Sequence, residues 1–244
     1  MRTGNIKTPA LIADSKILEA NISTMASRRP GKSLRPHIKA FKSTELAKKL
    51  VQAGHETFCC ATIRELEGMV DAGMGTDLLL ANETLDTTRL KNLLLKENCR
   101  ITVAVDSKET IAVAAAAGIQ EVLIDINVGL PRCGCSPEDA GFLADQARKS
   151  GLEIRGVMGY EGHLMHDPDT LRRTTKTEES MEILISAHET VGGDIISGGG
   201  TGTWDCNQAV TELQAGSYVL MDGDYSKLDL PFKEGLLLLT TVIS

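Results

Sequence analysis

The segment Arg35-Pro36-His37-Ile38-Lys39-Ala40-Phe41-Lys42 gathers basic and titratable groups on one short apolar stretch. Strand side chains alternate between two faces. If residues 34–40 are extended, Arg35, His37 and Lys39 share one face, and Pro36, Ile38 and Ala40 share the other. Such a row on an interior face is costly unless an anion or an acidic partner offsets it. Neighbouring positive charge also lowers the pKa of a lysine, which turns it into an amine nucleophile. The chemistry that follows is condensation of a lysine with the aldehyde of a phosphorylated cofactor. An edge strand with a solvated basic face is the alternative.

Other residues able to do chemistry fall in four further stretches. Arg132 lies in Asn127-Val128-Gly129-Leu130-Pro131-Arg132-Cys133-Gly134, and Tyr160, His163 and His166 lie in Gly159-Tyr160-Glu161-Gly162-His163-Leu164-Met165-His166. Gly198-Gly199-Gly200-Thr201-Gly202-Thr203 is a turn whose glycines let backbone N–H groups approach an anion while the threonine hydroxyls add donors. Gly216-Ser217-Tyr218 is expected to open the last strand. His163 and His166 admit three readings: general base, metal ligand with Asp167 or Asp169, or a polar loop. No third ligand at a fixed spacing supports the metal reading. His55 and His188 read as solvated, and Trp204 and Asp205 as loop packing.

These residues need a scaffold that brings them together, and the chain repeats one unit that can do so. A short apolar run ends in a polar or glycine-rich turn, and a helical stretch follows. The runs are 34–40, 57–61, 77–81, 100–105, 122–128, 154–160, 194–197 and 218–221. Helices are expected at 43–53, 63–72, 85–96, 108–117, 137–150 and 170–191, with a short one within 201–209. Ser43, Asp106 and Ser136 are expected caps, and Gly54, Gly73, Gly118 and Gly151 sit where helices should stop. Strands alternating with helices imply a parallel sheet, and eight such units close into an α/β fold, the (β/α)8 TIM barrel. An open doubly wound sheet fits less well, because the glycine-rich turn follows strand seven rather than strand one. In such a barrel the ends of the strands form one mouth, where the residues above converge. Two strand-like stretches, 8–14 and 235–244, fall outside the count. The expected division is a barrel over 15–234, with 1–14 and 235–244 as strands of an incomplete second β-domain.

Composition narrows the class. Hydrophobic residues make up 42% of the 244 residues but aromatic ones only 3%, so the core must be built from Val, Ile, Leu and Ala, as in buried parallel sheets. A net charge of −7 argues against nucleic-acid or acidic-membrane partners. No apolar run reaches the roughly 18 residues of a membrane span. Residues 1–7 lack a signal-peptide pattern, and the six cysteines read as reduced thiols of a cytoplasmic protein.

The ordered set Thr8-Pro9-Ala10-Leu11, Arg35-Pro36-His37-Ile38-Lys39, Val128-Gly129 with Arg132-Cys133-Gly134, Gly159-Tyr160-Glu161-Gly162-His163, Gly199-Gly200-Thr201-Gly202-Thr203 and Gln214-Ala215-Gly216-Ser217-Tyr218 resembles the D-threonine aldolase and D-serine dehydratase family, whose barrel is of the alanine racemase N-terminal type. The resemblance spans essentially the whole chain. It implies pyridoxal 5′-phosphate (PLP) on Lys39, with Arg132 and His37 near the cofactor and Tyr160 lining the site. It also implies phosphate contacts from Gly200, Thr201, Gly202 and Thr203 and from Gly216 and Ser217. His166 would act on the substrate β-hydroxyl, as in the aldolase subgroup. The implied reaction is cleavage of a D-3-hydroxy amino acid, such as D-threonine to glycine and acetaldehyde. Dehydration of a D-serine-type substrate and a non-catalytic PLP-binding barrel are the alternatives. Family members continue into a C-terminal β-domain that carries a divalent metal site (Mn, Mg or Zn). That domain is expected to be missing here, so no metal ligand is assigned, and the chain is expected to be a fragment or a single-barrel form with activity in doubt. A homodimer is the family-like assembly.

Overall fold

The computed structural model describes residue 4, residues 6–96 and residues 99–244. Of the predicted 1–14 segment, residues 1–3 and 5 therefore lie outside the described residues. Strand β1 (Ala10–Ala13) leads into α1 (Ser15–Arg28), whose first amides, Lys16 and Ile17, donate to the Asp14 carboxylate.

Seven strands follow in one parallel sheet, in chain order: β2 (Thr57–Cys60), β3 (Asp77–Leu80), β4 (Arg100–Val105), β5 (Glu121–Asp125), β6 (Glu153–Gly159), β7 (Ile195–Gly198) and β8 (Glu212–Leu213). Residues 34–37 close the circle. Leu34 bridges Leu213 of β8 and His37 bridges Cys59 of β2, and Arg35 and His37 donate their amides to the Leu213 and Ala215 carbonyls. Helices α2 (Thr44–Gln52), α3 (Ile63–Asp71), α4 (Thr87–Leu94), α5 (Lys108–Ala117), α6 (Ala140–Lys149) and α7 (Thr170–Val191) alternate with the strands. The predicted (β/α)8 architecture is the observed one. Among the described residues, no helix is long and apolar enough to cross a membrane.

The strands read as continuous apolar runs because both faces are buried. Consecutive residues nevertheless alternate between two separate clusters. Phe58, Cys60, Leu78, Leu80, Val103 and Val105 join the large cluster that packs the helices. Cys59, Leu79 and Ala104, with Leu123 and Met158, form a small one inside the barrel. Below it the interior is ionic. Arg35 bonds Glu212 at 2.8 Å and Asp77 at 3.0 Å, and Arg155 bonds the other oxygen of Asp77 at 2.8 Å. The basic face predicted from Arg35 is thus offset by carboxylates on β3 and β8 rather than by a ligand.

Several boundaries differ from the sequence expectation. The first strand stops at His37, and residues Ile38–Ala40 form a 3-10 turn, because the Phe41 and Lys42 amides turn back to the Ile38 carbonyl. Lys39 therefore does not share a strand face with Arg35 and His37. The eighth strand is Glu212–Leu213 rather than 218–221, and Ser217–Val219 is a 3-10 turn with Tyr218 buried. Gly216 and Ser217 thus follow strand eight and do not open it. The helix expected within 201–209 is a 3-10 turn, Thr201–Thr203. Ser107 caps α5 in place of Asp106, because its hydroxyl and that of Thr110 each satisfy the other's backbone amide. Gly54, Gly73, Gly118 and Gly151 all have positive φ just past their helices, as predicted. Strand β1 pairs antiparallel with β9 (Leu236–Leu239), so the two terminal stretches outside the barrel join each other.

Candidate functional site

All barrel strands run the same way, so the loops leaving their C-terminal ends meet at one rim, around a small open cavity. The first strand and its turn contribute His37 and Lys39, the loop after β5 contributes Arg132, and the end of β6 contributes Tyr160. Gly200 and Thr201 enter from the turn after β7, and Gly216 and Ser217 from the segment after β8. A larger depression, about 1100 Å³ among Glu56, Thr76 and Cys99, lies at the opposite end of the sheet and gathers none of these groups.

Burial lowers the basicity of the lysine and the histidine at the cavity. Lys39 is ringed by protein atoms that hold its ammonium below the ordinary lysine value, and the Arg132 guanidinium lowers it further. Its side chain still reaches solvent through the open mouth. His37 is buried, and burial pushes its imidazole well below the usual range, helped by the charges of Lys39, Lys42 and Arg132. A neutral His37 leaves Nδ1 buried with no hydrogen-bond partner among the described residues. Burial also pushes the Cys59 thiol up to about 12, so it stays protonated and donates to Gln214 Oε1 at 3.1 Å. Tyr160 is raised by burial too, so its phenol is neutral.

The opposite wall is shaped by backbone. Gly199 adopts φ +77°, a conformation that L side chains rarely take, and swings the chain out of β7. A Cβ at Gly216 would lie 2.2 Å from the His37 carbonyl oxygen, so this residue must be glycine for the two segments to touch. The Thr201 hydroxyl accepts the Tyr218 amide at 3.0 Å and retains its own proton to donate. Gly202 and Thr203 do not line the cavity. A Cβ at Gly202 would meet the Met165 carbonyl at 2.1 Å, and the Thr203 hydroxyl donates to Glu161 at 2.8 Å, so both brace the turn from behind. A nucleophilic lysine, a neutral unpartnered imidazole and a glycine-threonine turn on one cavity suit an aldehyde that carries a phosphate.

His166 stands at the rim, exposed, with its ring 4.4 Å from that of Tyr225, a cavity-lining residue that sequence reading missed. His163 is also exposed, beside Gly129. Ala81 and Met158 line the cavity without having been singled out, and Gln214, quoted in the sequence with no role, lines it too. Gln214 could have been found from its place two residues before Gly216; Tyr225 follows no motif. His55 is a correction: it is fully buried, with Nδ1 3.1 Å from the Gly31 carbonyl, because α2 ends against the 31–33 turn. Trp204 packs edge-on against Phe232 at 5.2 Å, as loop packing predicts.

Beside Arg132, Asp125 is buried, and burial pushes its carboxyl well above the usual range, with Glu83 adding to the effect. Cys133 Sγ lies 3.5 Å from Asp125 Oδ2. Glu83, Asp125 and Cys133 form the one group among the described residues close enough to share a metal ion. Their arrangement equally suits a proton held between the carboxyls, and neither His163 nor His166 belongs to it.

Known proteins resemble this chain along nearly its full length. The family model described as alanine racemase, N-terminal domain, matches residues 13–222. D-threonine aldolase of Arthrobacter sp is 33% identical over 261 aligned positions, which cover 98% of this chain and 69% of that protein. The crystal structure of D-threonine aldolase from Filomicrobium marinum superposes with a TM-score of 0.88 at 32% identity, covering 96% of this chain and 69% of that one. D-threo-3-hydroxyaspartate dehydratase from Delftia sp. HT23 superposes with a TM-score of 0.82 at 25% identity, covering 96% and 67%. Across the curated relatives the chain spans from 62% to 69% of their length.

Proposed function

We infer that this chain, which belongs to the alanine racemase N-terminal domain family, is a PLP-dependent lyase that cleaves D-3-hydroxy amino acids, D-threonine giving glycine and acetaldehyde. The observation that carries the reading is Lys39: an amine of lowered basicity that opens into one cavity with Arg132, Tyr160 and a glycine-threonine turn.

Bound PLP supplies the electron sink for the bond that breaks. Lys39 would hold the cofactor through its side-chain amine. Gly200, Thr201, Gly216 and Ser217 would hold the phosphate, with Gly202 and Thr203 supporting the turn from behind. Tyr160, His37 and Arg132 would bound the space for the ring, with Arg132 supplying positive charge to the cavity. His166 accepts the β-hydroxyl proton as the Cα–Cβ bond breaks. The hydroxyl carbon leaves as the aldehyde, the electron pair remains with Cα, and a proton delivered there yields glycine. An imidazole suits the first transfer because its unperturbed pKa is near neutrality. The activities named for the relatives support this class of substrate.

The test is borohydride reduction of the protein with PLP, peptide mapping, and product analysis from D-threonine with and without Mn²⁺. A pyridoxyl group on Lys39 together with acetaldehyde is the expected result. Ammonia and a 2-oxo acid in place of acetaldehyde would make the enzyme a dehydratase. An adduct with neither product would leave a cofactor-binding barrel, and no adduct on Lys39 would overturn the assignment.

A further inference from the structure

We propose that Glu161 is the positioning residue of the phosphate-binding turn, its buried carboxylate gathering the inward-facing donors so that Thr201 presents its hydroxyl proton to the ligand beside the backbone of Gly200. The proposal rests on the function inferred above. Glu161 directly follows the cavity residue Tyr160 and is fully buried. Its Oε2 accepts the Gly199 amide at 3.1 Å. Its Oε1 accepts the Thr203 hydroxyl at 2.8 Å and Asn207 Nδ2 at 2.9 Å. Thr203 relays the order one residue further, since its oxygen accepts the Gly200 amide at 3.3 Å.

Among the described residues, no ion pair to Lys, Arg or His offsets this carboxylate. A buried charge without a counterion persists only where hydrogen bonds satisfy it. Here the satisfying donors come from the residues on either side of Gly200 and Thr201, and from Asn207. The carboxylate and the turn therefore fix each other. One segment also sets two walls of the site, the ring side through Tyr160 and the phosphate side through Glu161.

Glutamine at this position keeps the shape but not the acceptors. The Gly199 amide and Asn207 Nδ2 can only donate, and they point at different oxygens of Glu161. Glu161→Gln must therefore set its own NH₂ against one of them, or turn the Asn207 amide over and leave Nδ2 where Oδ1 now lies buried without a partner among the described residues. Removing the charge would also relieve repulsion of a phosphate, an effect of opposite sign, so the measurement decides which wins.

The experiment titrates wild type, Glu161→Gln and Asn207→Ala with PLP and with pyridoxal, which lacks the phosphate, following the visible band of the bound cofactor. Thermal melting of each variant accompanies the titration. Glu161→Gln is expected to weaken PLP about tenfold or more while pyridoxal stays within about twofold, the size of leaving one buried donor unpaired. Equal weakening of both ligands, or PLP bound as tightly as or more tightly than by wild type, would overturn the proposal. A wild type that does not distinguish PLP from pyridoxal would instead refute the phosphate site itself. Should Glu161→Gln fail to fold, Asn207→Ala, which removes one of the three donors, is expected to show the same selective loss at smaller size; no selective loss there would refute the role of Glu161.

Discussion

The Lys39 ammonium nitrogen stands 5.2 Å from the centre of the Tyr160 ring, and the Arg132 guanidinium carbon stands 5.5 Å from the same centre. Two cations thus share one aromatic residue at the cavity mouth. Crowding by protein atoms and, after it, the charge of Arg132 hold Lys39 below its ordinary value. The free lysine value is about 10.4. Attachment of PLP should therefore reach half its maximum below that pH. Replacing Arg132 by Gln removes a cation, so the midpoint should move up. A pH series of borohydride-trapped adduct in both proteins checks this, and a midpoint that stays put or moves down would refute the coupling.

Lys42 is the other lysine near the site, but its side chain is largely exposed and pairs with Glu65. Lys39→Ala should abolish the trapped adduct, and Lys42→Ala should retain it. Peptide mapping by mass spectrometry separates the two, and label persisting on Lys42 in Lys39→Ala would reassign the cofactor lysine.

His166 meets the cavity through Tyr225 and follows Met165, which packs on the glycine-threonine turn. His166→Ala should leave the PLP adduct intact and lower turnover of D-threonine by about 10²–10⁴-fold, the usual contribution of a general base. Acetaldehyde release measured with a coupled dehydrogenase reads this. Turnover within a few-fold of wild type would move the role to His163 or to another base.

Burial pushes the Asp77 carboxyl up, but hydrogen bonds from Arg155 and the charge of Arg35 outweigh it and hold it below the usual carboxylate range. A depressed folded-state value means that the stabilisation is present above the unfolded value of about 3.9 and is lost as pH falls through the folded one. Asp77→Asn leaves Arg35 and Arg155 short of a partner inside the barrel and should cost about 3–5 kcal/mol at pH 7. The gap to wild type should narrow at pH 3. Urea unfolding at both pH values tests this; a gap of constant size would show that Asp77 acts through packing alone.

Tyr218 is fully buried, and its hydroxyl has no hydrogen-bond partner among the described residues. Its ring lies 5.6 Å from that of Phe232. Tyr218→Phe removes the unpaired hydroxyl and keeps the packing, so unfolding free energy should stay level or rise by about 1 kcal/mol. A loss beyond about 1 kcal/mol would reveal a partner for the hydroxyl, such as an ordered water.

Much of this molecule is local. Glycines past the helices, apolar runs of strand length and caps such as Ser43 act over a few residues, so their spacing alone implied a barrel with Lys39, Arg132, Tyr160 and the turn after strand seven at one mouth. Other features depend on atoms far apart in sequence. His37 lies against Gly216, and the chain turns directly after it, so Lys39 sits in a turn and not on the strand face. Arg35 reads as a candidate anion contact until Asp77 and Glu212 arrive from other strands to neutralise it. Thr203 reads as a phosphate contact until its hydroxyl meets Glu161 behind the turn. Residue type and period fix which elements form; whether a polar group faces a ligand or another buried polar group depends on which strands lie opposite each other, and only barrel closure decides that.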